Sequence, residues 1–552
     1  MYKKHTFCML LVLLLSPLMA TAESEPDSAS VMADALQRLP NTCGTAWGDV
    51  DETALRRLSA LYLRHQFERL WTSHERLNEL LLQLETLADD GLDPAQYQLD
   101  TIRQVAQNAT LLTSDQACAD VLISHIYLSA LNHLAQGRLP QDRTEPLWRN
   151  PDAQAQLQLD ERLIAIASDG VSQLEHAFNK ARPSLEQYHN LRKAYVQLRS
   201  EPLPDQQPIE AGKTLRLGMS DPRVPALRRR LSADGYLQDE PFVHEASEDL
   251  YSPALETALK AFQRRHALQD DGVMGSGTLA ALNATPRDRL DQLRVNMERF
   301  RWYAADIEPR SLLVDIAGGR VIFFRNNSPQ WEARGQVGKD TRQTPSIKSR
   351  VTRLTLNPTW TVPPTILRED KLPKIRESLN YLAEHKLQVL DYEGVELDPA
   401  TIDWNNPGRI LLRQAPGPEN PLGRVVIRFA NPYSIYLHDT PSQGLFARSQ
   451  RAFSSGCVRV ESVMQLIDLL LTPAERERVA GLLEAGNTYE FRPAESTPIL
   501  LAYWTAEADS SGVPRYRPDI YHRDQALLTA LQAADRDLAL PLLSFSETLS
   551  GR

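Results

Sequence analysis

The sequence has little cysteine and no excess of positive charge. Four of its 552 residues are cysteine, and the formal net charge is −10, spread along the chain without an acidic or basic tail. Nucleic-acid-binding proteins usually carry a basic patch, so that class of function is disfavoured. After the first residues, no segment approaches the run of about 18 apolar residues that a membrane-spanning helix needs. We therefore expect a mature protein that binds no nucleic acid and does not span a membrane.

Residues 1–22 predict a cleavable signal peptide. Lys3 and Lys4 precede a short apolar run that ends at Met19, and Ala20-Thr21-Ala22 offers the small residues that signal peptidase reads. The run is too short to cross a bilayer comfortably, although an uncleaved anchor is the alternative interpretation. We expect cleavage before Glu23 and export to an oxidising compartment.

Removal of the signal peptide leaves three cysteines, Cys43, Cys118 and Cys457. An odd cysteine outside the cytoplasm is either an intermolecular partner or a reactive thiol. Cys43 and Cys118 both lie in the N-terminal region, where oxidation would favour their pairing. The sequence does not give their Cα separation, so this disulfide is left open. Cys457 remains as the candidate reactive thiol.

Residues 23–210 predict a mostly helical scaffold domain followed by a linker. Apolar residues recur at spacings of three and four in the stretch Leu55–Leu87 and again in Ala119–Leu134. The segment 201–208 is rich in Pro and Gln and is typical of a linker. No chemical motif occurs here, so scaffolding or partner binding is the expected role.

Residues 213–285 predict a compact helical unit. Ser252-Pro253 predicts a helix start, because proline is favoured at the first helical position. A characteristic order of residues follows: Phe262-Gln263, Leu268, Asp271-Gly272, Gly275, Thr278 and Leu282. This order resembles the small three-helix peptidoglycan-binding module of many cell-wall enzymes. The glycines and Thr278 are expected to build turns and caps rather than to contact a ligand.

Residues 305–540 predict a β-rich domain that carries a capping insertion at about 368–415. The runs Ser311–Ile316 and Arg320–Phe324 flank a glycine pair and predict a hairpin. The insertion is more polar and contains one helical stretch near Lys374–His385. Together these patterns predict a multidomain α+β protein. Further strand signals occur at Thr352–Leu356, Arg424–Phe429 and Ser434–His438.

One histidine and one cysteine are the candidates for chemistry. Strand alternation over Ser434–His438 places Tyr436 and His438 on the face opposite the apolar residues. Cys457 follows His438 by 19 residues. A histidine can take the proton of a thiol and return it to a leaving amine. Backbone N–H groups at Gly456 and Cys457 could bind an oxyanion, and Arg459 could lower the thiol pKa or hold a substrate carboxylate.

Structural roles and metal binding are the alternatives at this point. A buried cysteine usually behaves as a small apolar residue, and a single histidine near a strand end is usually structural. Zinc fits poorly, because Cys457 and His438 have no close third ligand in the sequence.

The residues His438 and Ser454-Ser455-Gly456-Cys457-Val458-Arg459, with their spacing, resemble the signature of the L,D-transpeptidases with a YkuD-type catalytic domain. The segments Val337–Lys339 and Asn357–Pro364 resemble further parts of that domain. The order of scaffold, peptidoglycan-binding module and capped catalytic domain is similar to the large YcbB-like subgroup. Ser455 stands where the commonest signature has histidine, so only a backbone role is carried over to Ser455.

The resemblance implies a role for each matched residue. Cys457 is the nucleophile, His438 the general base and acid, and Gly456 an oxyanion-hole contributor. Tyr436 and Arg459 orient the substrate. Trp360 either lines the approach to the thiol or belongs to the core.

The resemblance also implies the reaction and its setting. The nucleophile attacks the carbonyl between meso-diaminopimelate and the terminal D-Ala of a tetrapeptide stem and releases D-Ala. An amine of a second stem then resolves the thioester, which gives a 3→3 crosslink.

No metal or organic cofactor is needed, and carbapenems are expected to acylate the cysteine. The expected location is the periplasm, and the expected partners are peptidoglycan stem peptides, with cell-wall synthases as further candidates. A carboxypeptidase-type hydrolase and a non-catalytic wall-binding scaffold are the alternative functions.

Overall fold

The computed structural model describes residues 28–37, 39, 43, 51–107, 113–149, 153–203, 206–237 and 248–536. The predicted signal peptide at 1–22 lies outside these residues. Within them, no helix combines the length and the apolar character that crossing a membrane requires.

Helices dominate the described chain up to Tyr303, and strands dominate after it, which confirms the α+β prediction. The helices are α1 (Ser28–Gln37), α2 (Glu52–Arg64), α3 (His74–Glu85), α4 (Leu99–Gln107), α5 (Thr113–Gln136), α6 (Gln141–Thr144), α7 (Ala153–Gly170), α8 (Leu174–Ala181), α9 (Glu186–Ser200), α10 (Val224–Ala233), α11 (Pro253–Arg265), α12 (Ser276–Asn283), α13 (Pro286–Tyr303), α14 (Pro364–Ile366), α15 (Leu372–Glu377), α16 (Asn380–Glu384), α17 (Val463–Leu470), α18 (Pro473–Glu484) and α19 (Asp524–Arg536). The strands are β1 (Trp148–Arg149), β2 (Ser311–Asp315), β3 (Arg320–Arg325), β4 (Ser328–Gly338), β5 (Ile347–Leu356), β6 (Trp360–Thr361), β7 (Leu387–Leu390), β8 (Leu411–Gln414), β9 (Val425–Phe429), β10 (Leu437–His438), β11 (Ala452–Ser454), β12 (Val458–Val460), β13 (Tyr489–Phe491), β14 (Thr497–Ala502), β15 (Ala506–Ala508) and β16 (Pro514–Tyr516).

The helices α1 to α5, α7 and α8 share one apolar core, whereas α9 packs against the β-rich domain. The predicted helical stretch Leu55–Leu87 forms two helices rather than one, because Gln66 and Phe67 adopt positive φ and end α2. Ser73 then caps α3 by accepting a hydrogen bond from a backbone N–H. Cys43 and Cys118 form a disulfide, which resolves the pairing that the sequence left open.

The three helices α10, α11 and α12 form the small module, with a separate apolar core. Ser252 caps α11 as its Ser-Pro start predicts. The Gln263 amide donates to Asp271, Val273 and Thr278 and accepts from the Gly272 N–H. These hydrogen bonds agree with the expectation that the signature residues of this region build the fold.

Eight strands of the β-rich domain close on themselves. Each pairs with the next in the order β5, β14, β2, β3, β4, β12, β10 and β9, and β9 pairs again with β5. Inward side chains of these strands and the apolar face of α17 make one core. The outer side of β2, β3 and β14 packs against α9, α13 and α19 in a second core. The closed sheet therefore has one outer side covered by helices.

The helix α13 connects the module to the closed sheet and carries two fully buried arginines. Arg299 pairs with Glu145 and Asp524, each at 2.6 Å, and Arg301 pairs with Glu298 at 2.6 Å. Breaking a buried ion pair leaves an uncompensated charge, so the pairs of Arg299 hold Glu145 of the helical region and Asp524 of the C-terminal helix against α13. The Arg301–Glu298 pair lies within α13, and Arg301 reaches the helical region by donating to the Asp90 carbonyl at 2.8 Å.

The capping insertion covers another outer side of the closed sheet. Its strands β6, β8 and β7 form a separate small sheet, and its apolar core includes Val426 of β9 and touches Tyr436. The insertion already begins at β6, before the predicted start at 368. The single helical stretch predicted near Lys374–His385 is two short helices, because Ser378 between them is extended.

Replacing Cys43 and Cys118 together by serine should lower the free energy of unfolding by about 3 kcal/mol. The disulfide joins residues 75 positions apart, and a cross-link over such a loop reduces the entropy of the unfolded chain. Denaturant titration followed by circular dichroism measures the change. A reductant should destabilise the wild type and leave the stability of the double variant unchanged. Equal denaturation midpoints for the two proteins without reductant would contradict the prediction.

Candidate active site

Two adjacent strands, β10 and β12, and the residues just before them present the candidate residues on one outer face. β10 pairs in parallel with β12, so that Leu437 lies beside Val458 and His438 beside Arg459. Leu437 and Val458 point into the core of the closed sheet. Alternation then turns Tyr436, His438 and Cys457 outward. The predicted face assignment for Tyr436 and His438 is in agreement with this register.

The predicted strand Ser434–His438 is shorter in the structure. Only Leu437 and His438 pair as strand, since Ser434 has a φ of +57°. The Asn431 side chain accepts from the Tyr433 and Ile435 N–H groups and donates to the Ile435 carbonyl. This turn sets where β10 begins, and asparagine before proline was its signal in the sequence.

His438 is buried and held in one tautomer. A carbonyl oxygen can only accept, so the contact of 2.5 Å between Nδ1 and the Asp439 carbonyl places the proton on Nδ1. Burial, and secondarily the charge of Arg459, lowers the pKa of His438 to about 3. Near neutral pH the imidazole is therefore uncharged and offers Nε2 as a proton acceptor.

Cys457 is also uncharged at rest. Burial raises the pKa of its thiol to about 11, and the opposing effects of Tyr436, Arg428 and Arg459 are smaller. The thiol donates to the Ser434 carbonyl over 3.8 Å. Among the described residues, no hydrogen bond joins this thiol to His438; contacts between a nucleophile and its base often tighten only when substrate binds.

Gly456 gives the chain before the thiol a conformation that other residues adopt with strain. Its φ is +116°, and a Cβ here would lie 3.1 Å from the Ile435 side chain. Its N–H donates to Ser454 Oγ at 3.1 Å, and Ser454 Oγ donates to the Cys457 carbonyl at 2.5 Å. The Gly456 N–H would have to leave Ser454 before it could bind an oxyanion.

A buried hydrogen-bond chain supports this turn from behind. Thr344 Oγ1 donates to the Gly456 carbonyl at 2.7 Å and accepts from the Gly338 N–H at 2.9 Å. The Tyr521 hydroxyl donates to the Gly338 carbonyl and accepts from the Thr344 N–H. Thr344 and Tyr521 were not among the predicted site residues, and no signal in the sequence pointed to Tyr521.

Ser455 connects the turn to the capping insertion. Its hydroxyl accepts from Arg342 at 2.9 Å, and the same guanidinium pairs with Asp370 at 2.6 Å and Glu369 at 2.7 Å. The side chain of Ser455 thus has a partner, although only a backbone role was carried over for it. Arg342, Asp370 and Glu369 were not among the predicted residues.

The remaining predicted residues lie around this centre. Arg459 donates to Gln336 at 3.1 Å, while its buried Nε has no hydrogen-bond partner among the residues that the structure describes. The ring of Tyr436 lies 5.6 Å from that of His438. Trp360 is 8% exposed and belongs to the core of the capping insertion, with Lys371 over its ring at 5.5 Å. The geometry favours the core interpretation of Trp360.

Three regions of the chain match known protein-family models. Residues 56–194 match "Scaffold domain", residues 220–282 "Putative peptidoglycan binding domain" and residues 309–479 "L,D-transpeptidase catalytic domain". These matches confirm the family resemblance. They lie within the predicted domains 23–210, 213–285 and 305–540, whose limits stay predictions.

Two individual proteins are similar to parts of the chain. A Haemophilus influenzae protein named "Putative L,D-transpeptidase" is 35% identical over 241 residues, which are 43% of this chain. The match spans about half of that relative, 48% of its length. The crystal structure of an L,D-transpeptidase (residues 123–326) from Xylanimonas cellulosilytica is 16% identical, with 53% of this chain and 99% of that chain covered and a TM-score of 0.15.

The alkylation of Cys457 by iodoacetamide should accelerate about tenfold per pH unit and continue to rise above pH 9. The thiolate is the reactive form, and the raised thiol pKa keeps its fraction small at neutral pH. The lowered pKa of His438 predicts no inflection near pH 6.5. Mass spectrometry of the modified protein gives the rates, with Cys457→Ala as the blank. A plateau below pH 8 would contradict an uncharged resting pair.

Thr344→Val should lower the free energy of unfolding by about 1–3 kcal/mol. The change leaves the Gly456 carbonyl and the Gly338 N–H buried without the hydroxyl that binds both. Thr344→Ser keeps the hydroxyl and is the matched control. Denaturant titration of the three proteins tests this, and a loss of stability for serine as large as that for valine would contradict a specific contribution of the hydroxyl group.

Proposed function

Because the chain carries the catalytic domain of the L,D-transpeptidases, we propose that it forms 3→3 crosslinks in peptidoglycan through a thioester on Cys457. The observation that carries this proposal is the register of β10 and β12, which places His438 and Cys457 on one outer face. The lowered pKa of His438 and the raised pKa of the Cys457 thiol are consistent with a neutral pair. A neutral base beside a neutral nucleophile suits proton transfer during attack.

The first half of the reaction transfers an acyl group to the protein. Nε2 of His438 takes the thiol proton as Sγ attacks the carbonyl between meso-diaminopimelate and the terminal D-Ala. The tetrahedral intermediate carries its negative charge on the former carbonyl oxygen, near the backbone N–H groups of Gly456 and Cys457. The C–N bond then breaks, the imidazolium returns its proton to the leaving amine, and D-Ala departs.

The second half returns the acyl group to an amine. The side-chain amine of a second stem attacks the thioester, His438 accepts the proton that this nitrogen releases, and the thiolate leaves and regains that proton. Tyr436 and Arg459 orient the stem in this scheme, and Trp360 stiffens the insertion that covers it. Water in place of the amine would give a carboxypeptidase, because the same acyl-enzyme serves both reactions.

The setting of the reaction follows from the other regions. The peptidoglycan binding domain at 220–282 supports the cell wall as the place of action. Export by the predicted signal peptide at 1–22 would deliver the chain to the periplasm, where the disulfide Cys43–Cys118 is stable. The helical scaffold domain is the surface that we propose for contact with cell-wall synthases.

A carbapenem should add its mass to the wild-type protein and not to Cys457→Ala. The β-lactam carbonyl would be attacked by the same thiol and would remain as a stable acyl adduct. The double variant Cys43→Ser with Cys118→Ser is the matched control, since it removes the other two cysteines of the mature chain and should still be acylated. Absence of any adduct on the wild type would refute a catalytic role for Cys457.

Purified protein incubated with tetrapeptide muropeptides should release D-Ala and produce crosslinked dimers. Chromatography with mass spectrometry separates dimers from shortened monomers. Tripeptide monomers without dimers would show hydrolysis instead of transfer, and unchanged muropeptides would contradict both activities.

A further inference from the structure

Arg428 on β9 is a cation without an acidic partner in the described part of the chain. Its Nε donates to Thr355 Oγ1 at 2.7 Å, and its guanidinium lies 5.2 Å from the centre of the Tyr436 ring. The arginine paired with it on the next strand, Arg353, has a carboxylate partner in Glu490 at 2.9 Å. The two neighbouring arginines therefore differ in whether their charge is compensated.

The strand register places Arg428 in one row with the nucleophile. Leu437 lies opposite Ile427 in the antiparallel pair β9–β10 and beside Val458 in the parallel pair β10–β12. One residue earlier along β10, Tyr436 has Arg428 on one side and Cys457 on the other. A single aromatic ring thus separates the guanidinium from the thiol, on the same outer face under the capping insertion.

A half-buried guanidinium with free Nη groups is suited to a carboxylate. Arginine binds carboxylates through two parallel hydrogen bonds, and such charge-assisted pairs are stronger than neutral hydrogen bonds. The hydrogen bond from Nε to Thr355 fixes the plane of the group, and Thr355 in turn donates to Glu490. The side chain is consequently held in place before any ligand arrives.

His438 and Arg459, which lie side by side on β10 and β12, indicate which part of a stem peptide faces Arg428. His438 has to return a proton to the leaving amine, so the leaving residue lies along the row of His438 and Arg459. The diaminopimelate residue, whose carbonyl is attacked, then extends from Cys457 across the ring of Tyr436. We propose that Arg428 binds the second carboxylate of the diaminopimelate residue whose carbonyl is transferred to Cys457. This assignment rests on the proposed function and adds a specificity determinant to it.

The experiment combines one substitution with one change in the substrate. Arg428→Gln should lower kcat/KM for D-Ala release from a disaccharide tetrapeptide about 10- to 100-fold, mainly through KM, since the contact is present in both ground and transition states. On the same stem with this carboxylate converted to the amide, wild type and variant should agree within about twofold. For the wild type, kcat/KM should be about 10- to 100-fold lower on the amidated stem than on the free stem. This result does not depend on the folding of a variant.

Arg353→Gln is the matched control, because it removes the same charge from the adjacent strand. It should leave kcat/KM unchanged on both the free and the amidated stem. Arg428→Lys should recover only part of the loss, since lysine cannot form the paired hydrogen bonds. An equal loss for Arg428→Gln on the free and the amidated stem would overturn the proposal and assign the residue to the thiol or to Tyr436. Failure of the wild type to release D-Ala from either stem would instead overturn the proposed function.

Discussion

The parallel pairing of two short strands, Leu437–His438 and Val458–Val460, determines where every reactive group lies. Leu437 and Val458 are fully buried in the core of the closed sheet, so a slip by one residue would turn apolar side chains outward. The same alternation holds His438 and Cys457 on the outer face. The core thus specifies the register, and the register specifies the chemistry. Parallel strands need a long crossover, which explains why 19 residues separate the histidine from the cysteine.

The position of the capping insertion over that outer face also depends on ion pairs. Arg342 donates a hydrogen bond to Ser455, in the turn before Cys457, and also forms ion pairs with two carboxylates of the capping insertion. The insertion is also anchored by apolar contact with Val426. A salt bridge with exposed carboxylates is weak and screened by salt. The insertion is therefore joined to the turn by a contact that costs little to break, while its apolar anchor keeps it in position.

The sequence predicted the α+β class, the three kinds of domain in their order and the face on which Tyr436 and His438 lie. These predictions depended on periodicity, on turn residues and on a local signature, all of which are encoded within short segments. The supporting contacts were not predictable in this way. Thr344, Tyr521 and Gly456 are far apart in the chain, and their hydrogen bonds exist only because the sheet closes. Helix boundaries inside apolar stretches were missed for a related reason, since periodicity is the same on both sides of a break such as Gln66–Phe67.

The electrostatics of the site argue for proton transfer during attack rather than before it. Burial opposes the thiolate more strongly than Arg428 and Arg459 favour it, and burial likewise opposes the imidazolium. A separated ion pair is therefore not the resting state. A substrate carboxylate beside Arg428 would reduce the positive potential near Cys457 and disfavour the free thiolate further. In the proposed reaction the negative charge is better placed on the oxygen of the tetrahedral intermediate, to which the Cys457 N–H can donate, joined by the Gly456 N–H once that group has left Ser454. In the proposed reaction, substrate binding and nucleophile activation are compatible when the thiol gives up its proton as the carbon–sulfur bond forms.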